Sequence, residues 1–333
     1  MSFKRLALLG VAGLLTVAAA AQTCSMPGEM SATDKSALAE TANRLNQAVI
    51  SGDANALRAA AIPSIAQAFE TVANTVNQVH AQVSGGQSTV DLEYGLNQDQ
   101  PGTANAEFYC GVLNDPDPTH VHVVFSIPNL PNGQYAFVMT SVTGGRTPYR
   151  ISYVFQQEAG QWKLAGFYPK PLSAAGHDGD WYWQQARDFK AKNQSHVAYL
   201  YLLTAQDLLQ PVGFMVSTNN LDKLFNEQQA ARPADIPVDP AKPVTFTAPD
   251  GKAYQLTQMF PTTDDQGNLV LVVKYAVPDV SNGAAMLAAN QALANALVQK
   301  YPELKSAFVS LVPRATAPSG QDFGSEFKMA DLK

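Results

Sequence analysis

His120 and His122 are the pair in this chain that comes closest to chemistry. Two residues apart on an extended strand, their side chains leave from one face, which is the condition for sharing a metal ion. Asp115, Asp117 and His177 are further candidate ligands, since a zinc site needs three or four convergent donors. The same spacing equally fits two histidines that face solvent or a cavity. A second constellation is His177-Asp178-Gly179-Asp180 followed by Trp181, Tyr182 and Trp183. Acids beside aromatics suit a cation or a sugar. The simpler expectation is a helix start, with Asp180 as N-cap and the aromatics seeding an interdomain core.

Other chemistries leave less trace. The chain has no G-x-S-x-G nucleophile elbow and no G-x-x-x-x-G-K-[ST] phosphate loop, so catalytic residues stay unassigned and no cofactor is expected. Asn193-Gln194-Ser195 fits a glycosylation sequon, but it falls on a predicted helix. With 15% charged residues and a net charge of −6, the chain has no basic stripe to displace counterions from phosphates, which argues against a nucleic-acid partner. A protein or small-molecule ligand is the partner class that remains.

The first 21 residues set the expected address. Lys4 and Arg5, the apolar run Leu6 to Val17, and the small residues Ala18 to Ala21 follow the pattern of a cleavable secretory signal, cut before Gln22. The run is shorter than the roughly 20 residues of a bilayer span. A lipid-modified Cys24 fits poorly, because Ala21, Gln22 and Thr23 precede it. Losing Lys4 and Arg5 takes the net charge from −6 to about −8 and leaves no anchoring segment, so the expected product is periplasmic or extracellular. In an oxidising compartment Cys24 and Cys110 are expected to bond; the alternative is a free thiol on a frayed terminus.

Several elements must position these residues. Leu38, Ala42, Leu45 and Val49 mark one helical face, ended by Gly52, with Asp53 capping a short turn. Pro63 opens a helix whose face Ile65, Phe69, Val72, Val76, Val79 and Val83 runs to Gly85-Gly86. Strands are predicted near 88–96, 104–113, 119–127, 134–143, 148–158 and 161–168. Val121, Val123, Phe125 and Ile127 form a core face, and the short connections imply a largely antiparallel sheet. Helices follow between 178 and 232. Pro233, Pro237, Pro240 and Pro243 then form a linker over 233–243. Strands at 244–248, 253–260, 269–277, 305–312 and 323–329, with a helix at 284–300, complete a small α/β sandwich over 244–333.

Helix, Ser51-Gly52-Asp53, a short Ala/Leu-rich turn, Pro63 and a second helix resemble the start of the nuclear transport factor 2-like (SnoaL-like, ketosteroid-isomerase-like) cone fold. Gly160-Gln161-Trp162-Lys163-Leu164-Ala165-Gly166-Phe167-Tyr168 is similar to the last strand of many members. The resemblance covers 32–172 and implies helices on a curved antiparallel sheet. It also implies a pocket on the concave face, with Asp91, Glu93, Tyr94, Tyr109, His120 and His122 as candidates to line it. Tyr182, Ala186, Phe189, Ala198, Leu202 and Ala205 resemble a single tetratricopeptide-type helix pair, and a plain helical hairpin packed on the first domain fits them equally. The expected fold is α+β. The expected function is a non-enzymatic exported binding or scaffolding protein of bacterial type; the alternative is a small-molecule enzyme or metal-binding protein using the cone pocket.

Overall fold

The computed structural model describes residues 22–99, 104–111, 122–237 and 239–333. The expected leader, Asp115, Asp117 and His120 lie outside them. The chain is α+β: N-terminal helices with an antiparallel sheet, a helical segment, and a C-terminal mixed sheet.

Helix α1 (Ala32–Ser51) begins where the Ser31 hydroxyl accepts from the Asp34 amide and ends at left-handed Gly52, φ 77°. Asp53 caps α2 (Ala54–Ala60) by accepting from the Ala56 amide. The helix expected to run on from Pro63 is two, α3 (Pro63–Gln67) and α4 (Glu70–Val83). Ala68 leaves helical geometry at φ −110°, ψ 42°, and Phe69 beside it is buried in the core.

The strands are β1 (Thr23–Ser25), β2 (Gln87–Gln98), β3 (Asn105–Cys110), β4 (Val123–Pro128), β5 (Gly133–Thr143), β6 (Tyr149–Glu158) and β7 (Gln161–Pro171). They do not make one sheet of consecutive hairpins. The order β1-β2-β5-β6-β7 forms a five-stranded sheet, and the β3–β4 hairpin leaves it. Beyond the ribbon of β8 (Ser173–Ala174) and β9 (His177–Asp178), a strand not foreseen in the sequence, β10 (Met215–Thr218), pairs with β4. Burial accounts for the split. Phe108, Val123 and Phe125 pack against Tyr94, Phe137 and Val154 on one face of the five-stranded sheet, so stacking the two sheets dries both surfaces.

On the other face α1 and α4 cover Val138, Ile151, Tyr153, Phe155 and Leu164. Buried Asn46 accepts hydrogen bonds there from the Tyr153 hydroxyl at 2.8 Å and the Thr140 hydroxyl at 3.2 Å. A disulfide joins Cys24 on β1 to Cys110 at the end of β3, with Cα atoms 5.2 Å apart. It staples an edge of one sheet to an edge of the other. Closing a loop of 86 residues removes denatured-state entropy worth about 4 kcal/mol in the chain-entropy model.

The helical segment contains α5 (Gly179–Ala191), α6 (Ser195–Leu209) and α7 (Asn219–Ala231). The N-cap of α5 is Asp178, which accepts from the Trp181 amide; Asp180, the cap expected from sequence, sits in the first turn instead. The C-terminal sheet contains β11 (Val244–Thr247), β12 (Ala253–Thr263), β13 (Leu269–Ala276), β14 (Ser310–Thr316), β15 (Asp322–Gly324) and β16 (Phe327–Lys328). Helix α8 (Gly283–Lys300) crosses from β13 to its parallel neighbour β14. The expected strand at 305 starts later because α9 (Leu304–Ala307) occupies its first residues. One apolar cluster runs from Ala174 to Leu332 and includes α5, α6, the inward face of β13, α8, and Ile236 between the linker prolines.

Candidate functional site

Strand β2 shows how the sequence candidates are distributed. Asp91 and Glu93 would share a face on a regular strand, but a bulge between Val90 and Leu92 adds one residue and separates them. Asp91 accepts from the Ser141 hydroxyl at 3.1 Å, near Arg150, on the face away from α1. Glu93 lies opposite Val138, on the helix-covered face near Lys35. Burial pushes both carboxyls above their usual range, against the pull of those neighbours. Tyr94 is buried between the sheets, edge-on to Phe125, and burial raises its hydroxyl pKa. Tyr109 is 45% exposed on β3, where its bond to Glu107 raises its pKa.

These side chains therefore do not line one pocket. The two poised carboxyls sit on opposite faces, and the interior beneath α1 is filled by Leu38, Leu45, Tyr153 and Phe155. His122 lies elsewhere again, just before β4. Its Nε2 is 3.0 Å from the Ser217 hydroxyl and 3.2 Å from Asp222 Oδ2, and Ser217 donates to that same carboxylate at 2.8 Å. A proton relay needs the hydroxyl and the carboxylate on opposite ring nitrogens. Here both meet one nitrogen, an arrangement that fastens β4 to β10 and α7. Among the described residues, no three His, Cys, Asp or Glu side chains converge as a metal cage. His177 stacks on Trp181 with ring centroids 3.7 Å apart at the start of α5.

The open polar site is at the rim of the same sheet. Register aligns Thr23 with Asn97, Asn97 with Gln134, and Gln157 with Trp162, so polar side chains cross from β1 to β7 on the helix-facing side. Further in, the same faces carry Ala136, Phe155 and Leu164. The change from apolar to polar comes at the N-terminus of α1, where Ser31 caps the helix. A cleft of ≈ 370 Å³ lies here, lined by the polar row together with Gly95, Met30, Ser31 and Asp34. The absent side chain at Gly95, between Ser25 and Met30, leaves its floor open.

Trp162 also borders a second cleft of ≈ 650 Å³, formed by Glu40, Thr41 and Arg44 of α1, the alanines of α2, and Gly160, Gln161 and Lys163. The β6–β7 turn that presents Trp162 is a two-residue hairpin with both central residues at positive φ, Ala159 at 50° and Gly160 at 78°. The side chains of Gln134, Gln157, Gln161 and Trp162 make no hydrogen bond to described residues.

In the sequence Trp162 stood out as part of a turn-and-aromatic-strand motif. The polar row behind it was hidden, because its register depends on pairing between strands far apart in the chain. No helix among the described residues is long and apolar enough to cross a membrane. No family model matches the chain, and neither a curated protein nor a solved structure matches it.

Proposed function

We propose that this chain is an exported, bacterial-type binding or scaffolding protein without catalytic activity, working in the cell envelope or outside the cell. Its N-terminal unit is read as a nuclear transport factor 2-like cone, and α5 with α6 as a tetratricopeptide-type pair. The observation that carries the binding reading is the pair of clefts sharing Trp162, where the side chains of Gln134, Gln157, Gln161 and Trp162 have no hydrogen-bond partner among the described residues. A surface that leaves amides and an indole N–H unpaired has hydrogen-bonding capacity to offer a ligand. The Cys24–Cys110 bond supports the exported address, since such bonds persist in oxidising compartments. Equilibrium binding of the purified protein to envelope preparations tests the function. Wild type should bind, and Trp162→Ala should lose it; equal binding by both proteins contradicts the reading.

A second reading, a small-molecule enzyme or metalloprotein, draws on the contact of His122 with Ser217 and Asp222. Elemental analysis decides it. Stoichiometric zinc that disappears in His122→Ala would favour that reading over the first.

A further inference from the structure

Resting on the binding reading, we propose that the Trp162 clefts take a neutral oligosaccharide, with one pyranose ring against the indole and its neighbours in the two flanking clefts. Three properties of the rim lead to this ligand class. The first is the mix of groups. A sugar offers hydroxyls that each donate and accept, beside an apolar C–H face. Amide side chains donate and accept within one planar group, and an indole gives a flat apolar surface with a polar edge. Asn97, Gln134, Gln157 and Gln161 supply the amides around Trp162.

The second property is charge. The larger cleft sets Glu40 against Arg44 and Lys163, and the smaller carries Glu29 and Asp34, whose carboxylates already accept from the Met26 amide and the Ser31 hydroxyl. A phosphate or polyanion would require clustered cations, and a cationic ligand would require an acidic or aromatic cage. Neither is built here. The third property is shape. Two clefts that share one aromatic residue offer space on either side of the indole, which suits a chain of rings better than a single compact molecule. An apolar peptide would need hydrophobic anchor pockets; of the large apolar residues lining the smaller cleft, Leu96 and Tyr135 are buried, which leaves Trp162 and Met30.

Calorimetric titration of the full chain with cellohexaose, chitohexaose and maltohexaose, alongside pull-down on insoluble cellulose, chitin and peptidoglycan sacculi, tests the assignment. At least one of these probes should bind, and Trp162→Ala should weaken it by about tenfold or more. Gly95→Val keeps normal strand φ and should fold, yet it fills the cleft floor and should also abolish binding. This second variant keeps the test decisive if Trp162→Ala is unstable. No binding to any probe, or undiminished binding by Gly95→Val, overturns the glycan assignment. Envelope binding separates the two levels of the account. Retention that needs Trp162, survives periodate and is lost on protease treatment overturns the glycan assignment while keeping the binding reading. Retention lost on periodate treatment supports both.

Discussion

Several polar side chains of the helical segment and the C-terminal sheet are tied to each other, whereas Trp162 and three glutamines near it are not. Asp235 accepts from His196 at 2.8 Å and from the Tyr301 hydroxyl, joining the start of α6, the proline-rich segment and the end of α8. Glu227 takes two bonds from Arg187 and one from the Trp183 indole. Tyr275 donates to Asn290, which in turn donates to the Phe323 carbonyl and Ser325. Each of these groups satisfies a partner on another element. At the rim, Gln134, Gln157, Gln161 and Trp162 satisfy nothing within the described residues. Paired polar groups raise stability and fix geometry, while unpaired ones on a concave surface have their capacity available to a ligand. The contrast supports the proposed ligand site at the Trp162 rim.

Variants can break or sharpen this contrast. The largest effect should come from the staple that holds the two N-terminal sheets together. Cys24→Ser with Cys110→Ser should cost up to about 4 kcal/mol in denaturant titration. An unchanged unfolding midpoint would mean that the sheets hold without the bond. Asp235→Ala should cost about 2 kcal/mol, because it strands His196 and the half-buried Tyr301 hydroxyl.

Acid should expose the paired networks next. Bonds from Arg187 and Trp183 hold the Glu227 carboxyl below its usual range, outweighing burial. For Asp235 burial alone would raise the pKa, yet the bonds from Tyr301 and His196 leave it lowered. A carboxylate lowered in the folded state stabilises above its unfolded pKa, about 4, and that contribution is lost as pH falls through the folded value. Glu227→Gln should therefore lose less stability than wild type between neutral pH and pH of about 3. Equal losses would show that the network does not carry this dependence. The smallest stability effect is expected in the turn that presents Trp162. Ala159→Gly relieves a left-handed alanine and should raise stability by about 0.5 kcal/mol.

Local features were legible in the sequence and long-range ones were not. Gly52, Asp53 and Gly85 ended or started helices as their backbone and capping chemistry requires. The alternation at Val123, Phe125 and Ile127 marked a true core face. The Cys24–Cys110 pair was readable because only two cysteines exist. Periodicity does not report pairing partners, so the departure of β3 and β4 to join β10 was invisible. The β2 bulge was hidden for a similar reason: Asp91 and Glu93 are two apart in sequence, and only register against β5 reveals the inserted residue. Asp178 and Asp180 compete for one cap, and composition alone does not choose between them.

The most direct test of the contrast is a triple variant, Gln134→Ala, Gln157→Ala and Gln161→Ala, assayed for both stability and binding. The account predicts an unfolding free energy within about 0.5 kcal/mol of wild type, as expected for surface positions without partners, together with loss of envelope binding. A large fall in stability with binding retained would contradict it, because the rim amides would then be structural.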